Sequence, residues 1–568
     1  MHIHIVPNRG SPPTVLLRES FREGASVRKR TLANLSSLPM AQIEAIRSVL
    51  LGVEVCPVAQ CFEITATRAH GHVQAVAAAL QRLGFASLIA SKPCRARDLV
   101  LAMVTSRILA PATKLATTRW WHTTTLAEDF SVADASEDDL YAAMDWLLTR
   151  QNTIQKKLAT RHLSAGGLVL YDLSSSYFEG LTCPLAKLGY SRDGKRGTLQ
   201  VNYGLLTDAR GCPVAISVHE GNVSDSKTFM PEVQRLREDF GIEQMVMVGD
   251  RGMIFQGAID AMRTTEGIDW ITALKSVSIR ALIEQKQLQP DLFDERNLLE
   301  LSSPDYPGER LVACRNVELA KLRRHKREAL LAATEVNLAK VKVRVDAAKL
   351  TGKDRIGLQV GKVVNQYKVA KHFELNIGET AFSFVRKHES IAAEAVLDGI
   401  YIIRTSLSAD KMNASECVRS YKSLAVVERA FRSFKGMDLK VRPIHHRLED
   451  RVRAHLLLCM LAYYIEWHMR EAWRELMFAD CDQLAKLDRD PVAPAKRSKA
   501  ALDKVSSHTL DDGSAAHSWP TLLAELAAIT RNTCRAPRTG DSSPTFNITT
   551  TPNPKQKRAL ELMQSIKM

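Results

Sequence analysis

Two aspartates stand at the ends of apolar runs, Asp172 in LVLYDLSSSYF and Asp250 in MVMVGDRGM, and a glutamate, Glu428, lies in the basic stretch YKSLAVVERAFRSFK. Carboxylates brought close together repel, and they stay ionised at neutral pH only with a cation between them. Hard ions such as Mg²⁺ or Mn²⁺ suit all-oxygen donors, with water and a phosphate completing the octahedron. Two such ions about 3.5–4 Å apart activate an attacking oxygen and stabilise a leaving one. Two acids on strand ends and one on a helix therefore point to Asp172, Asp250 and Glu428 as catalytic metal ligands for phosphodiester chemistry.

Each acid alone has an ordinary explanation. An aspartate after a strand is a turn former or helix cap, and a glutamate on a basic helix is a surface residue. Their order, on strand, strand and helix, is what argues for a site. Tyr421, Glu428 and Lys435 are spaced by seven residues, which returns each to one helical face with about 20° of drift. That spacing predicts a stripe on which Glu428 completes the ion site while Tyr421 and Lys435 hold nucleic-acid phosphates. Arg429, Arg432 and Arg442 belong to the same basic stretch and are further candidates for phosphate. Arg251, beside Asp250, reads as a phosphate contact or an ion-pair residue. Gly249 and Gly252 flank that aspartate and allow a sharp turn at the strand end. His219 and Asn222, near the end of a preceding strand, are candidates for hydrogen bonds behind the metal ligands; ordinary turn bonding is the alternative.

These residues need elements to hold them. Residues 1–65 alternate as strands (HIHIV, TVLLRESF) and read as a β-hairpin region. Residues 66–163 turn helical; the basic and aromatic set Pro111, Lys114, Arg119, Trp120 and Trp121 falls in a predicted loop. This segment suits either a DNA-end-binding domain or plain helical packing. Residues 164–276 switch to strands, with LVLYDLSSSYF, LQVNYGLLTD and PVAISVHEG as a meander. The apolar run before Asp250 reads as a buried parallel strand. The order of elements specifies an α/β mixed sheet, the first part of a catalytic core. Residues 277–395 interrupt it as an insertion, whose stretch 315–344 holds nine Lys/Arg against three Asp/Glu. Residues 396–484 resume the core and carry the Glu428 helix. Residues 485–568 read as linker-rich, with short helices at 519–531 and 555–566 and a candidate role in multimerisation.

A chain of 568 residues has room for several domains. The net charge of +15 favours a polyanionic partner, nucleic acid first, although a merely basic soluble protein would carry it too. The ten cysteines form no CxxC pair, and Cys56 and Cys61 lack a second ligand pair at zinc-site spacing. They read as reduced thiols. The opening MHIHIVPNRGSPP has no apolar run of the export-signal kind, and LLLCMLAYYI at 456–465 is too short to span a bilayer. An intracellular, nucleoid-associated protein without membrane partners is expected.

The ordered set resembles the DDE transposases of bacterial insertion sequences, in the branch whose third motif reads Y-(2)-R-(3)-E-(6)-K. Tyr421, Glu428 and Lys435 match that spacing. The arginine position holds Leu424, which cannot bind phosphate; Arg419, Lys422 and Arg429 are the candidates to replace it. YDLSSSYFEG, GYSRDGKRG, HEGNVSD, VGDRGM and RPIHHRLEDRVRAH are also similar to that branch, and the likeness runs from about residue 90 to 470. It implies a ribonuclease H-like core with a large insertion between Asp250 and Glu428, which are 178 positions apart. It also implies cleavage at terminal inverted repeats, followed by attack of the freed 3′-hydroxyl on target DNA. Two Mg²⁺ ions per site, replaceable by Mn²⁺, and a homodimer or larger synaptic assembly go with it. Some members pass through a hairpin, for which Trp270 could stack on an extruded base; a core tryptophan is the plainer reading. A nuclease that cuts without joining, or an inactive end-binding regulator, are the alternatives.

Overall fold

A computed structural model describes residues 1–53, 62–289, 293–294, 297–483, 489–535 and 545–566; Cys56 and Cys61 lie outside these. The chain forms two compact units.

One unit comprises residues 1–68 and 530–551. Strands β1 (His2–Val6), β2 (Thr14–Glu23) and β3 (Ser26–Asn34) make an antiparallel sheet in that order. The expected hairpin is thus a three-stranded meander, because SVRKRT continues as an exposed third strand. Helix α1 (Met40–Leu50) follows, and β4 (Glu63–Ala69) then joins a second sheet with strands Thr530–Arg535 and Thr545–Thr549. Those two strands correct the linker-rich reading of the C-terminal segment. Their short, threonine-rich runs lack a clear apolar alternation, and the strand that Thr530–Arg535 joins, β4, lies more than 460 residues away.

The other unit comprises residues 69–529 and 552–568. It begins with helices α2 (Gly71–Arg82), α3 (Phe85–Ile89), α4 (Arg95–Leu109), α5 (Lys114–Trp120), α6 (Leu126–Asp129), α7 (Glu137–Leu148) and α8 (Gln151–His162). Helix α7 starts where Ser136 Oγ accepts the Asp139 N–H (3.3 Å) and Asp139 accepts the Ser136 N–H (2.8 Å), satisfying two otherwise orphaned donors. Helix α4 is buried from Leu99 to Ile108, a run that includes Thr105, Ser106 and Arg107. The expected basic-aromatic loop is mostly the helix α5, in which Lys114 is buried, and Trp121 beyond it is fully buried.

The central sheet has nine strands among the described residues. Strands β5 (Leu168–Tyr177), β6 (Lys187–Leu188), β7 (Leu199–Asp208) and β8 (Pro213–Glu220) pair antiparallel through β7. Helix α9 (Asp225–Glu238) leads to β9 (Met245–Val248), parallel to the other edge of β5. Helix α10 (Gln256–Arg263) leads to β10 (Ile268–Ala273), parallel to β9. After helix α11 (Ser276–Glu284), strands β11 (Leu298–Leu301) and β12 (Arg310–Arg315) extend the same sheet. Part of the expected insertion is therefore sheet edge.

The rest of that segment has a core of its own. Helices α12 (Val317–Asp346) and α13 (Lys353–Tyr367), the hairpin β13 (Phe373–Ile377) and β14 (Phe382–Arg386), and helix α14 (His388–Ala395) follow in order. Leu331, Leu338, Ile356, Val360 and Phe373 fill the space between them. Strand β15 (Ile400–Thr405) then returns to the central sheet between β12 and β10, antiparallel to both. Helices α15 (Ala414–Lys422) and α16 (Leu424–Arg432) and a π-helical turn over Ser433–Met437 precede α17 (Glu449–Ala472), which is buried over most of its length. Further helices span Lys499–Ser507, Trp519–Ala527 and Pro554–Gln564. The last is docked, since Trp473 Nε1 donates to the Ala559 carbonyl (2.9 Å). No single helix among the described residues is long and apolar enough to cross a membrane. Trp270 is buried in the sheet, as the core reading expected.

Candidate active site

The parallel pairing of β5 and β9 sets Leu168 against Val246, Val169 against Met247 and Leu170 against Val248. The ladder ends there; Asp172, two residues further along β5, and Asp250, two residues beyond the end of β9, lie at the same end of the two neighbouring strands. Asp172 is half-buried and Asp250, just past the strand, is exposed. Asp172 Oδ1 accepts the Leu173 N–H (2.8 Å), and Asp250 Oδ1 accepts the N–H groups of Gly252 (2.9 Å) and Met253 (2.8 Å). A Cβ at Gly252 would lie 3.3 Å and 3.6 Å from the two Asp250 carboxylate oxygens, so the glycine leaves that carboxylate uncrowded.

Glu428 arrives from the other layer. Helix α16 buries Val427, Ala430 and Phe431, a spacing of one helical face, and Phe431 packs edge-on against Tyr203 of β7 (5.8 Å between rings). Glu428, next to Val427, is left exposed and close enough to act on Asp172. Burial, then the Asp250 and Glu428 carboxylates, push the Asp172 carboxyl up to about 7, against the Leu173 N–H and the Arg192 guanidinium. Tyr421 shares this surrounding: burial, then Asp250 and Glu428, push its phenol up to about 12 against Arg251. Helix α15, which carries Tyr421, is fixed at its start by Asn413, whose side chain accepts the Glu416 N–H (2.9 Å) while Glu416 accepts the Asn413 N–H (3.0 Å).

The single stripe through Tyr421, Glu428 and Lys435 is not formed. Helices α15 and α16 break at Ser423, and the π-helical turn shifts the face on which Lys435 falls. Lys435 is buried, and its ammonium donates to Asp193 (3.0 Å), which also receives Arg442 (2.7 Å) and the Tyr177 N–H (3.2 Å). Lys435 is thus held inward against a buried carboxylate and not presented on an exposed face, which argues against the phosphate role expected of it, while Arg442 keeps part of its side chain exposed. Lys422 is spent as well, donating to the carbonyls of Val492 (3.0 Å) and Ala493 (3.3 Å). Arg429 and Arg432 remain exposed on α16. Arg251 is exposed and lines a small cavity of about 160 Å³ with Tyr401, Tyr421 and Arg323.

A cleft of about 600 Å³ opens beside the carboxylates, lined by Tyr190, Arg192, Asn222, Asp225, Asp250 and Gly252 among others. Asn222 is thus placed with Asp250. His219 is not: its Nε2 lies 3.1 Å from Ser217 Oγ, and burial, then Arg453 and Arg235, lower it to about 4. Its surroundings are the packing between β8, α9 and α17.

Arg192 was not singled out in the sequence. It is ion-paired to Asp225 and bears on Asp172, and its N–H bonds Ser175 Oγ (3.1 Å) on β5. The adjacent pair Arg192–Asp193 in GYSRDGKRG was the available signal, but no periodicity separates it from a surface loop. Arg192 turns toward the carboxylates, while Asp193 turns inward to anchor the loop.

Asp172, Asp250 and Glu428 offer only oxygen donors, and none has a basic side chain bonded to it among the described residues. That composition fits hard divalent cations and not soft ones.

The family model described as "Transposase DDE domain" matches residues 180–465, just over half of the chain. The match begins after Asp172 and includes Asp250 and Glu428. The model described as "IS1634 family transposase, N-terminal domain" matches residues 3–55. No curated protein matches. Among solved structures, one described as the piggyBac transposase synaptic complex with hairpin DNA is similar at 10% identity and a TM-score of 0.34, over 80% of this chain and 77% of that one. With those two matches joined to a mixed α/β sheet, the chain belongs to the DDE transposases of insertion sequences, enzymes that cleave and join DNA.

Proposed function

We propose that Asp172, Asp250 and Glu428 are the metal ligands of this transposase and that the central sheet is a ribonuclease H-like core. The observation that carries the proposal is the parallel β5–β9 pairing, which supports neighbouring positions for the two aspartates, together with the effect of the Asp250 and Glu428 charges on Asp172. The family's metal requirement fits the donor set: two Mg²⁺ ions, with Mn²⁺ as a substitute, would be held by these three carboxylates. When bound, they supply charge neutralisation for in-line phosphoryl transfer.

The protein residues have separable tasks. Asp250 is held rigid by two backbone N–H groups, so its carboxylate is positioned before DNA arrives. Asp172 must lose its proton to act as a ligand, and Arg192 favours that loss. Arg251, Arg429 and Arg432 are exposed cations around the acids and bind DNA phosphates; Tyr421 adds a phenol at the cleft edge. Asn222 lines the cleft beside Asp250. Lys435, with Arg442, acts indirectly: it clamps Asp193 and thereby sets Arg192. Residues 66–163 bind the element's ends, the basic helix α12 adds phosphate contacts, and the C-terminal region supports a homodimer or larger synaptic assembly.

The proposed substrates are the terminal inverted repeats of an insertion sequence and a target duplex in the nucleoid. The reaction is cleavage at the repeat, then attack of the freed 3′-hydroxyl on target DNA. The test is incubation of the purified protein with a labelled terminal-repeat duplex, Mg²⁺ and a supercoiled plasmid. Joined products that disappear in Glu428→Gln support the reading. Cleavage without joining would make it a nuclease, and binding without cleavage an end-binding regulator.

A further inference from the structure

A second cluster of metal-ligating side chains lies away from the carboxylates. His162 ends α8, Cys212 sits in the turn between β7 and β8, and His468 projects from α17. One ligand atom from each lies within 4.8 Å of the others, and Cys212 Sγ is 3.8 Å from His468 Nε2. Cys212 and His468 are buried and His162 half-buried. Asp208, at the start of this turn, opposes Val169, three residues before Asp172 on β5. The cluster is therefore about 10 Å or more along the strand from the catalytic acids.

The surroundings hold these side chains in place. Asp208 accepts the N–H groups of Arg210 (2.9 Å) and Cys212 (2.9 Å), which shapes the turn and fixes the cysteine. Tyr464, one helical turn before His468, stacks edge-on against it and lies 3.0 Å from His162 Nε2. Burial keeps both imidazoles neutral, His468 down to about 3, and neutral imidazole is the ligating form. Burial, then Asp208, keeps the Cys212 thiol protonated while no cation is near.

We propose that His162, Cys212 and His468 form a zinc site, separate from the catalytic centre, that ties α8, the β7–β8 turn and α17 together. One thiolate and two imidazoles are a zinc donor set, and a water takes the fourth position. Zinc bonds of 2.0–2.3 Å place tetrahedral ligands about 3.5 Å apart, so rotations that draw the atoms together by about an ångström, and that release one His162 nitrogen from Tyr464 (3.0 Å) or from Arg210 (3.5 Å), complete the site. The thiol proton is released as the ion binds, and affinity falls as the pH is lowered. The hard-ion carboxylate site and this nitrogen–sulfur site would then bind different metals in one chain.

The test uses the full-length protein, stripped of metal and titrated with Co²⁺ as a spectroscopic probe. The expected result is one equivalent with a thiolate-to-cobalt charge-transfer band, bleached by Zn²⁺. Asp172→Asn retains the band, Cys212→Ser abolishes it, and His162→Gln weakens binding by at least about tenfold. Zn²⁺ should also raise the unfolding temperature of the wild type more than that of His162→Gln. Absence of the band in the wild type, or its survival in Cys212→Ser, would overturn the site. If Cys212→Ser does not fold, the partly exposed His162→Gln decides, and unchanged Co²⁺ affinity there also overturns it.

Discussion

Lys435 and Asp193 form a buried ion pair at 3.0 Å, joined by Arg442 at 2.7 Å. This pair links the π-helical turn beyond Glu428 to the loop that carries Arg192. Removing Lys435 leaves a carboxylate short of one partner in a dry setting, which costs on the order of 3 kcal/mol. Lys435→Ala should therefore lower the urea midpoint. It should leave the salt dependence of DNA binding unchanged, and the double variant with Asp193→Ala should recover part of the lost stability. A flattened salt slope in Lys435→Ala would restore the direct phosphate contact.

The exposed arginines should behave in the opposite way. Arg429→Ala and Arg432→Ala should each weaken binding across sequences and reduce the salt slope by about 1, with little change in unfolding temperature. Binding isotherms at several salt concentrations separate the two behaviours.

Asp172→Asn, Asp250→Asn and Glu428→Gln should each cut cleavage by on the order of 10³-fold or more, comparable to losing a principal electrostatic stabiliser. End binding should persist. Single-turnover cleavage of a labelled duplex, alongside a gel-shift titration, reads both quantities. Retained turnover in any one variant removes that residue from the site.

The Asp172 carboxyl stands at about 7 in the folded chain, against about 3.9 unfolded. Its proton is held more tightly in the folded state, so its contribution to stability is full below about pH 4 and fades as the pH rises through 7. In chelator, wild type and Asp172→Asn should have similar urea midpoints at pH 4, and the wild type should fall behind by pH 8. Mg²⁺ at pH 8 should close the gap. A gap that is constant with pH would contradict the shared-charge environment.

Asn222→Ala should slow cleavage, because Asn222 lines the cleft beside Asp250. His219→Ala should instead lower stability with cleavage per folded molecule unchanged, because His219 faces Ser217, Arg453 and Arg235. Rates normalised to active-site titre distinguish the two.

The local patterns were legible in the chain. Apolar runs ending in Asp172 and Asp250 announce strands, and the basic stretch around Glu428 announces a helix, because burial of one face writes a period into the sequence. The tertiary structure decided which strands are neighbours: the β5–β9 pairing that puts Asp172 and Asp250 at the same end of adjacent strands joins segments 78 positions apart, and no local period encodes such pairing. It also decided where side chains of equal charge point. Lys435 and Arg429 are both basic positions near Glu428, yet one is sealed against Asp193 and the other faces solvent, because a π-helical turn shifted the first. The pairing of Thr530–Arg535 with β4, and the meeting of His162 with Cys212 and His468, are likewise contacts across distant parts of the chain. Spacing along a sequence carries no distance once the chain has turned back on itself, so these contacts exist only in the folded molecule.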